Sequence, residues 1–300
     1  LGAGLAILRD TLDTSVKSLK DLEGLLDVPI LGAIAYDADA VSAPLITDAD
    51  ADAPRSEGFR VLRTNLQFID PDEDRKVFVI TSSLPEEGKT TTAINLALVL
   101  AEGGERVVLV EGDLRRPKVG TYLNIEGSVG LTTVLVGRVE LKDALQHLPG
   151  RAGLAVLASG RTPPNPAELL KSHAMANIIK QLRDEYDVVL IDAPPLLPVT
   201  DAALLASQAD GAILVVRHGK TSTDHVRSAA ERLAAVGAEP LGAILNMTPA
   251  RGTGQYGYGY GYGYGYAPQL SPALKAPRKG RRGSTKSATV PDPKRRSRHS

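Results

Sequence analysis

The stretch VFVITSSLPEEGKTTT, residues 77–92, decides the fold of this 300-residue chain. Residues 77–80 are apolar and predict a buried strand, and the apolar residues 93–100 behind the stretch predict a helix. A Gly-Lys-Thr tripeptide at such a strand-to-helix turn is typical of a P-loop, in which backbone N–H groups at the helix start surround phosphate oxygens. The predicted phosphate-binding residues are Glu87, Gly88, Lys89, Thr90 and Thr91.

Two side chains of this loop carry the predicted chemistry. Lys89 supplies a cation for the β and γ phosphate oxygens, and the Thr90 hydroxyl is a ligand for Mg²⁺. The match to the general pattern is imperfect, because Ser83 stands where the first glycine is usual. A chance Gly-Lys-Thr in an ordinary loop is the alternative, and two acidic motifs farther along the chain weigh against it.

Both acidic motifs follow apolar strands. Residues 107–110 run into Glu111-Gly112-Asp113, and residues 188–191 run into Asp192. The carboxyl ends of parallel strands meet at one edge of a sheet, where such sheets bind ligands. Asp192 is placed to hold the water shell of Mg²⁺. One such acid is often merely solvated, but the loop and both motifs together predict a single triphosphate site with its metal.

Alternating strands and helices from residue 77 onward predict an α/β fold, with a doubly wound, mostly parallel sheet covered by helices on both faces. Strands are predicted at 77–82, 106–111, 154–158, 187–192, 211–216 and 241–246. Helices are predicted at 89–102, 166–183, 200–207 and 223–236. Upstream of this core, the spacing predicts helices at 9–27 and 55–69 and an extended segment at 28–35.

Composition divides the chain into five predicted parts. Residues 1–35 form a juxtamembrane segment, whose apolar first eight residues are either the end of a truncated transmembrane helix or the start of an ordinary one. Residues 36–54 form a linker and residues 55–250 the nucleotide-binding domain. Residues 251–268 hold a Gly-Tyr cluster. Residues 269–300 form a basic tail, which its composition predicts to be disordered.

Charge and cysteine content limit the function classes. The formal net charge is zero, but residues 271–300 contain ten Lys/Arg and one acid, so this part carries +9 and the rest −9. Anionic lipid, nucleic acid or no partner at all suits such a tail, and no recognition motif for nucleic acid accompanies the charge. The chain has no cysteine, which excludes disulfides, iron–sulfur clusters and cysteine zinc sites, and its five histidines show no ligand spacing.

These motifs together resemble the cytoplasmic kinase domain of the bacterial tyrosine kinases that regulate capsular and exopolysaccharide synthesis. The likeness covers roughly residues 1–266. It rests on the following segments: EGFRVLR (57–63), PEEGKTT (85–91), EGDLRRP (111–117), DAPP (192–195) and the tyrosine cluster.

The resemblance implies ATP and Mg²⁺ as cofactors, with Lys89 on the phosphates, Thr90 on the metal, and Asp113 and Asp192 in the outer shell of the metal. Glu111 stands where the family usually has aspartate, and either Glu111 or Asp113 takes the tyrosine proton. The implied catalytic residues are Lys89, Glu111, Asp113 and Asp192. Glu86 stands where the family loop usually carries glycine.

Further residues have implied roles outside the phosphate loop. Asn246 resembles the adenine-reading asparagine of the family, and a cap or turn asparagine is the alternative. Arg217, just past a strand end, is a candidate for the mouth of the same site. Glu57, Arg60 and Arg63 share one helix face. Such a charged face alone is usually only solvated. The resemblance implies that these three residues form the motif that packs subunits into a ring.

Six tyrosines alternate with glycine within eleven residues, and they are Tyr256, Tyr258, Tyr260, Tyr262, Tyr264 and Tyr266. Glycine lets bare backbone approach a catalytic site closely. The resemblance implies that these tyrosines are phosphoacceptors for a neighbouring subunit. A self-associating low-complexity segment is the alternative.

The whole resemblance implies an autophosphorylating tyrosine kinase at the cytoplasmic face of the bacterial cell membrane. Its implied partners are a membrane chain-length regulator or adaptor segment and the polysaccharide synthesis and export machinery. Two alternatives share the ATP site, namely a partitioning-type ATPase switch and a non-catalytic assembly scaffold. Partitioning ATPases carry a lysine five residues before the P-loop lysine, where this chain has Leu84, and they lack a tyrosine run.

Overall fold

The computed structural model describes residues 13–46, 53–69 and 76–249. All of them belong to the first of the two units into which the chain divides, Leu1–Arg251. The predictions for the first residues of the juxtamembrane segment, the tyrosine cluster and the basic tail lie outside the described residues. Within the described ranges, no helix has both the length and the apolar character that crossing a bilayer requires.

One sheet runs through the domain. Its strands are β1 (Ile30–Ala35), β2 (Lys76–Ser82), β3 (Val107–Glu111), β4 (Gln146–His147), β5 (Leu154–Leu157), β6 (Val188–Asp192), β7 (Gly211–Arg217) and β8 (Pro240–Thr248). The strand order is β1-β8-β7-β2-β6-β3-β5-β4. Every neighbouring pair is parallel except the antiparallel β4–β5 pair at one edge.

Helices connect these strands. They are α1 (Leu19–Glu23), α2 (Pro54–Leu66), α3 (Lys89–Glu102), α4 (Val119–Leu123), α5 (Leu131–Leu135), α6 (Leu141–Ala144), α7 (Pro166–Leu170), α8 (His173–Glu185), α9 (Asp201–Ala206) and α10 (Thr223–Ala234). A short 3₁₀ helix also spans Ala38–Val41.

Apolar layers cover both faces of the sheet. Along β2, Val77 and Val79 belong to one buried cluster, and Phe78 and Ile80 belong to the other. Successive side chains of a strand point to opposite faces, so a strand that is covered on both sides reads as an unbroken apolar run. The predicted doubly wound α/β fold is thereby confirmed, and the carboxyl ends of β2, β3 and β6 meet at one edge.

The N-terminal helix is shorter than predicted. The spacing predicts a helix at 9–27, but the described part of this range is helical only in α1. Val16 instead runs alongside the loop after β7, where its N–H donates to the Thr221 carbonyl at 2.8 Å and its carbonyl accepts from Gly219 N–H at 2.8 Å. These contacts satisfy the backbone groups that a helix would otherwise pair.

Two other segments differ from the prediction. The helix predicted at 166–183 is two helices, because the Ser172 hydroxyl accepts a hydrogen bond from Met175 N–H at 3.2 Å and starts α8 there. The segment between β3 and β5, for which no elements are predicted, contains α4, α5, α6 and β4. These elements are too short to show a hydrophobic period.

The described part of the predicted linker is bound to the domain. Buried Asn95 on α3 accepts a hydrogen bond from Ile46 N–H at 2.8 Å and donates one to the Pro44 carbonyl at 2.9 Å. The Arg55 guanidinium on α2 donates to the carbonyls of Ala43 and Pro44. Residues 43–46 therefore form a strap that ties α2 to α3.

Candidate functional site

The loop between β2 and α3 has the backbone that phosphate binding requires. Gly88 caps the start of α3 with a left-handed φ of 90°. A Cβ at this position would lie 2.1 Å from Nδ2 of Asn246, so only glycine fits. The fourteen-residue helix α3 points its unpaired N–H groups at this loop.

Glu86 is also held in the left-handed region, with a φ of 65°. A residue with a side chain adopts this conformation at a cost of about 1–2 kcal/mol. The kinase family that this chain resembles usually has glycine at this position, and glycine adopts a positive φ without this cost. The Arg217 guanidinium donates to the Glu86 carbonyl at 3.2 Å, which helps to hold the strained turn.

Lys89 lies between the two acidic motifs. Its Nζ is 3.0 Å from Asp113 Oδ2, 3.6 Å from Asp192 Oδ1 and 3.2 Å from the Thr90 hydroxyl. Burial lowers the pKa of Lys89, but the charges of Asp192 and Asp113 outweigh burial and raise the pKa above its ordinary value. The structure thus brings together the four residues predicted to hold phosphate and metal.

One carboxylate oxygen of Asp192 accepts no hydrogen bond, although it lies 3.6 Å from Lys89 Nζ. The residue is 1% exposed, and its Oδ1 has no hydrogen-bond partner. Burial raises the pKa of Asp192 to about 6, against the opposing charge of Lys89. A buried carboxylate oxygen beside a hydroxyl and a second carboxylate suits the water shell of a divalent cation.

This arrangement fits Mg²⁺ in the form that binds with phosphates. The described residues contain no group of three or more His, Cys, Asp or Glu side chains that would form a cage made of protein alone. Mg²⁺ usually keeps several waters and takes one or two carboxylates together with substrate phosphates. Thr90, Asp113 and Asp192 are such a partial set.

Asp113 is fixed by the loop that follows it. Its Oδ1 accepts hydrogen bonds from the N–H groups of Arg115 at 3.3 Å and Arg116 at 3.0 Å. The Arg115 guanidinium in turn holds the fully buried Asp201 carboxylate at 2.7 and 3.0 Å. Asp201 is a residue that sequence reasoning missed, because only its place in the first turn of a predicted helix marked it.

Glu111 has different surroundings from Asp113. Its Oε1 accepts from Lys118 N–H and Val119 N–H, both at 2.5 Å, and its Oε2 accepts from Ser159 N–H at 3.0 Å. The side chain is 1% exposed. Both oxygens of Glu111 are therefore directed at backbone groups of two loops, and Asp113 faces Lys89.

Glu87 joins the P-loop to the loop after β7. Its carboxylate accepts from Leu84 N–H at 2.9 Å and from the Thr221 hydroxyl, which itself accepts from Arg217 N–H at 3.0 Å. Burial raises the pKa of Glu87 in spite of these hydrogen bonds. Thr221 is a second residue that sequence reasoning missed, since nothing in its neighbours marks it.

Asn246 lies against the P-loop. Its Nδ2 donates to the Glu87 carbonyl at 2.9 Å, and its Oδ1 accepts from Met247 N–H at 2.9 Å. The Thr91 hydroxyl makes a similar local contact, since it donates to the Gly88 carbonyl at 2.9 Å. Asn246 thus supports the loop backbone, and its implied role in reading adenine stays a prediction.

Comparison with known proteins decides the family. A family model described as an AAA domain matches residues 76–239. Tyrosine-protein kinase YwqD of Bacillus subtilis is 44% identical over 203 residues, which cover 68% of this chain and 85% of that protein. This chain belongs to the bacterial tyrosine-protein kinase family. The predicted enzyme class, a protein-tyrosine kinase, is confirmed at the level of this family.

The chain covers very different shares of its relatives. Tyrosine-protein kinase etk of Escherichia coli K12 is 36% identical over 214 residues, which cover 71% of this chain but only 29% of that protein. The chain therefore spans less than a third of this relative and most of the Bacillus subtilis one.

Solved structures agree with the family and the fold. The kinase domain of Escherichia coli tyrosine kinase ETK superimposes with a TM-score of 0.73 at 30% identity, over 82% of this chain and all of that one. The septum site-determining protein MinD of Pyrococcus horikoshii, complexed with Mg-ADP, has a TM-score of 0.50 at 28% identity, over 57% of this chain and 70% of that one. The fold is thus one in which a solved neighbour holds a nucleotide with Mg²⁺.

The residues on α2 that are predicted to pack subunits together lie in two environments. Glu57 and Arg60 form an ion pair at the surface. Arg63 instead turns toward the P-loop helix, where its guanidinium donates to the Val99 carbonyl at 3.2 Å. Glu57 and Arg60 are therefore accessible to a partner, and Arg63 also braces α2 against α3.

Proposed function

We propose that this chain is the ATP- and Mg²⁺-dependent kinase domain that phosphorylates its own tyrosine cluster, Tyr256 to Tyr266, on a neighbouring copy. The observation that carries the proposal is Lys89, held at the N-terminus of α3 with its Nζ between Asp113 and Asp192. A phosphate-binding lysine with two carboxylates at one strand edge is what phosphoryl transfer requires.

The proposed roles of the residues follow from their positions. Thr90 would hold Mg²⁺ directly, and Asp113 and Asp192 would hold it through its water shell. The bound ion would neutralise charge on the phosphates. Lys89 leaves its carboxylate partners and binds phosphate oxygens, and the N–H groups of residues 87–91 bind the rest. Both effects position the γ-phosphoryl group and stabilise its charge in the transition state.

The acceptor step requires a group that takes the tyrosine proton. The tyrosine oxygen forms a bond to the γ-phosphorus, the bond to the β–γ bridging oxygen breaks, and ADP leaves. We assign the proton to Asp113 rather than Glu111, because Glu111 uses both oxygens on three backbone N–H groups. Asp113 Oδ2 accepts no backbone N–H, and an outer-shell place keeps a water between it and the metal, so it is available to accept the proton once Lys89 moves to phosphate.

The wider proposal places this reaction at the cytoplasmic face of the bacterial cell membrane. We propose that the domain assembles into a ring through Glu57 and Arg60 and that neighbours phosphorylate one another. Its proposed partners are a membrane adaptor or chain-length regulator segment and the polysaccharide synthesis and export machinery. The support is the family membership and the surface ion pair of Glu57 with Arg60.

The test is intact-mass analysis of the chain after incubation with ATP and Mg²⁺. We expect successive additions of phosphate that map to the cluster tyrosines and are absent in Lys89→Met. Lys180→Met, which removes a surface lysine paired with Asp184 at 3.0 Å, is the matched control and should behave as the parent. A thermal melt of each variant checks that it is folded.

The alternatives give a different result in the same experiment. An ATPase switch or an assembly scaffold binds ATP but adds no mass to the chain. Binding of nucleotide without phosphate on tyrosine, also after the adaptor segment is fused to the N-terminus, would therefore overturn the kinase proposal.

A further inference from the structure

The strand order places a second loop beside the proposed acceptor side of the site. The carboxyl ends of β2, β6, β3 and β5 follow one another along the sheet, and they carry the P-loop, Asp192, Asp113 and the segment 158–161 respectively. Neighbouring strands lie about 4.8 Å apart. The segment after β5 is therefore the next surface beyond Asp113 on the side away from the P-loop.

Glu111 fastens this segment to the loop that carries Asp113. One carboxylate oxygen accepts from Lys118 N–H at 2.5 Å, and the other accepts from Ser159 N–H at 3.0 Å. Because the side chain is buried, these charge-assisted bonds are short and strong. The loops 112–118 and 158–161 are thereby held together as one surface.

Three exposed cations lie on this surface, and we name Arg116, Lys118 and Arg161 the acceptor-side rim. Their backbone groups take part in the local hydrogen bonds: Arg116 N–H binds Asp113, Lys118 N–H binds Glu111, and the Arg161 carbonyl accepts from the Thr132 hydroxyl at 3.0 Å. Within the described ranges, none of the three side chains makes an ion pair or a hydrogen bond.

Several other cations in the described structure are paired with aspartates. Arg115, between Asp113 and the rim, holds buried Asp201, and the surface residues Lys180 and Arg227 are each paired with an aspartate on their own helix. Unpaired cations on neighbouring loops add their fields at the rim and attract an anion. The rim is thus a positively charged surface next to the proposed proton acceptor.

The proposed acceptor segment has a matching repeat. Its tyrosines alternate with glycine from Tyr256 to Tyr266, so in an extended backbone they all project from the same face. Tyrosines two residues apart are then separated by about 6.6 Å. This distance exceeds one strand spacing, so a segment that runs from Asp113 toward the end of β5 with one tyrosine at Asp113 would place the next tyrosine over the rim.

We propose that the acceptor-side rim is a binding subsite for a phosphotyrosine of the same cluster, two residues from the tyrosine that is being phosphorylated. This inference rests on the proposed function. A phosphotyrosine carries about −1.5 to −2 charges and three acceptor oxygens, which suit two or three unpaired cations. Phosphorylation of one tyrosine then favours phosphorylation of the next.

Binding of a short peptide tests the subsite without phosphoryl transfer. The probe is a fluorescent synthetic copy of residues 255–261, phosphorylated on Tyr258 alone, compared with its unphosphorylated twin. The protein is the full chain with all six cluster tyrosines changed to Phe, so that its own segment carries no phosphate, and Mg-ADP is present at saturation. We expect the phosphorylated peptide to bind about tenfold tighter, since two exposed charge pairs contribute a few-fold each.

Matched variants show whether the rim is responsible. The double substitution Arg116→Ser with Lys118→Ser removes two rim charges and leaves the backbone N–H groups that bind Asp113 and Glu111. We expect this double variant and Arg161→Ser each to reduce the preference for the phosphorylated peptide. Lys180→Ser should retain the full preference. A thermal melt and Mg-ADP affinity equal to those of the parent establish that each variant is intact.

Three results would overturn the inference. The first is equal affinity for the two peptides, and the second is a preference that survives in the rim variants. The third is a preference that exists only without Mg-ADP, because the phosphate then enters the P-loop. A chain that transfers phosphate but fails this test lacks the subsite, whereas a chain that passes it without transferring phosphate contradicts only the proposed function.

Discussion

Asp192 is buried and has one oxygen that accepts no hydrogen bond, and this makes the candidate site sensitive to pH. Its pKa is about 6 in the fold and 3.8 in the unfolded chain, so the folded state binds a proton more readily. The fold without nucleotide therefore loses stability as the pH rises from about 4 through 6, where the buried group becomes charged. A cation bound beside this carboxylate offsets that cost.

The first prediction concerns affinity for Mg-ADP as a function of pH. Mg²⁺ favours the ionised form of Asp192, so we expect the affinity to be constant above about pH 7 and to fall by up to about tenfold per unit below pH 6. Calorimetry from pH 5 to pH 8 in buffers of different ionisation enthalpy measures both the affinity and the proton released.

The nucleotide also titrates, so a control must separate its pH dependence from that of Asp192. Asp192→Asn should bind Mg-ADP weakly and show only the pH dependence of the nucleotide itself. Asp224→Asn, a change at an exposed aspartate paired with Arg227, should follow the parent. A parent and an Asp192→Asn variant with parallel profiles would show that Asp192 does not titrate in this range.

At the residue scale, sequence predicts which side chains converge but not what each of them contacts. Lys89, Asp113 and Asp192 follow from the rule that parallel strands end at one edge. Glu111 and Asp113 are two residues apart, so a strand pattern treats them alike. Their difference depends on Lys118 and Ser159, whose N–H groups reach Glu111 from two separate loops.

At the element scale, the strap over α3 links the helix of the family motif to the P-loop helix. Asn95 is fully buried and makes three hydrogen bonds: it accepts from Ile46 N–H and donates to the carbonyls of Pro44 and Thr91. Thr91 lies in the first turn of α3 and is one of the residues predicted to bind phosphate. The strap is therefore one turn away from the nucleotide site.

The second prediction is that Asn95→Ala destabilises the domain by about 2–4 kcal/mol. It leaves the N–H of half-buried Ile46 without its partner inside the protein and removes two further hydrogen bonds, and each hydrogen bond contributes about 0.5–1.5 kcal/mol. Urea unfolding followed by circular dichroism measures the change.

Asn65→Ala, which removes one hydrogen bond from α2 to the Leu31 carbonyl, is the control and should cost about 1 kcal/mol. Equal losses in both variants would contradict a special role of the strap.

The bounds of α3 and β2, which show a clear hydrophobic period, could be predicted from the sequence. The break between α7 and α8 and the start of α5 could not. The helix α3 has the bounds that the spacing predicts, and β2 begins one residue earlier than predicted. The break between α7 and α8 depends on one serine cap. The N-cap of α5 is Gly130, where a Cβ would lie 2.0 Å from the Ala158 carbonyl oxygen. Such contacts come from the tertiary structure and leave no period in the sequence.

At the scale of the whole molecule, the sequence divides its charge between two regions. Residues 271–300 carry +9 and the rest of the chain carries −9, and the six tyrosines lie immediately before the basic region. Full phosphorylation of the cluster adds about −9 to −12, because each phosphotyrosine carries about −1.5 to −2. The added charge would roughly cancel that of the basic tail.

The third prediction follows from this cancellation. A basic residue near an anionic membrane surface contributes about 1 kcal/mol of binding, so the unphosphorylated chain should sediment with vesicles that contain phosphatidylglycerol at low salt. Incubation with ATP and Mg²⁺ should reduce the bound fraction severalfold, because the phosphates repel the surface and pair with the tail. Lys89→Met, or the chain with the six tyrosines changed to Phe, should stay bound with or without ATP. Equal binding of the parent chain in both states, with phosphorylation verified by mass, would show that the tail is not an electrostatic switch.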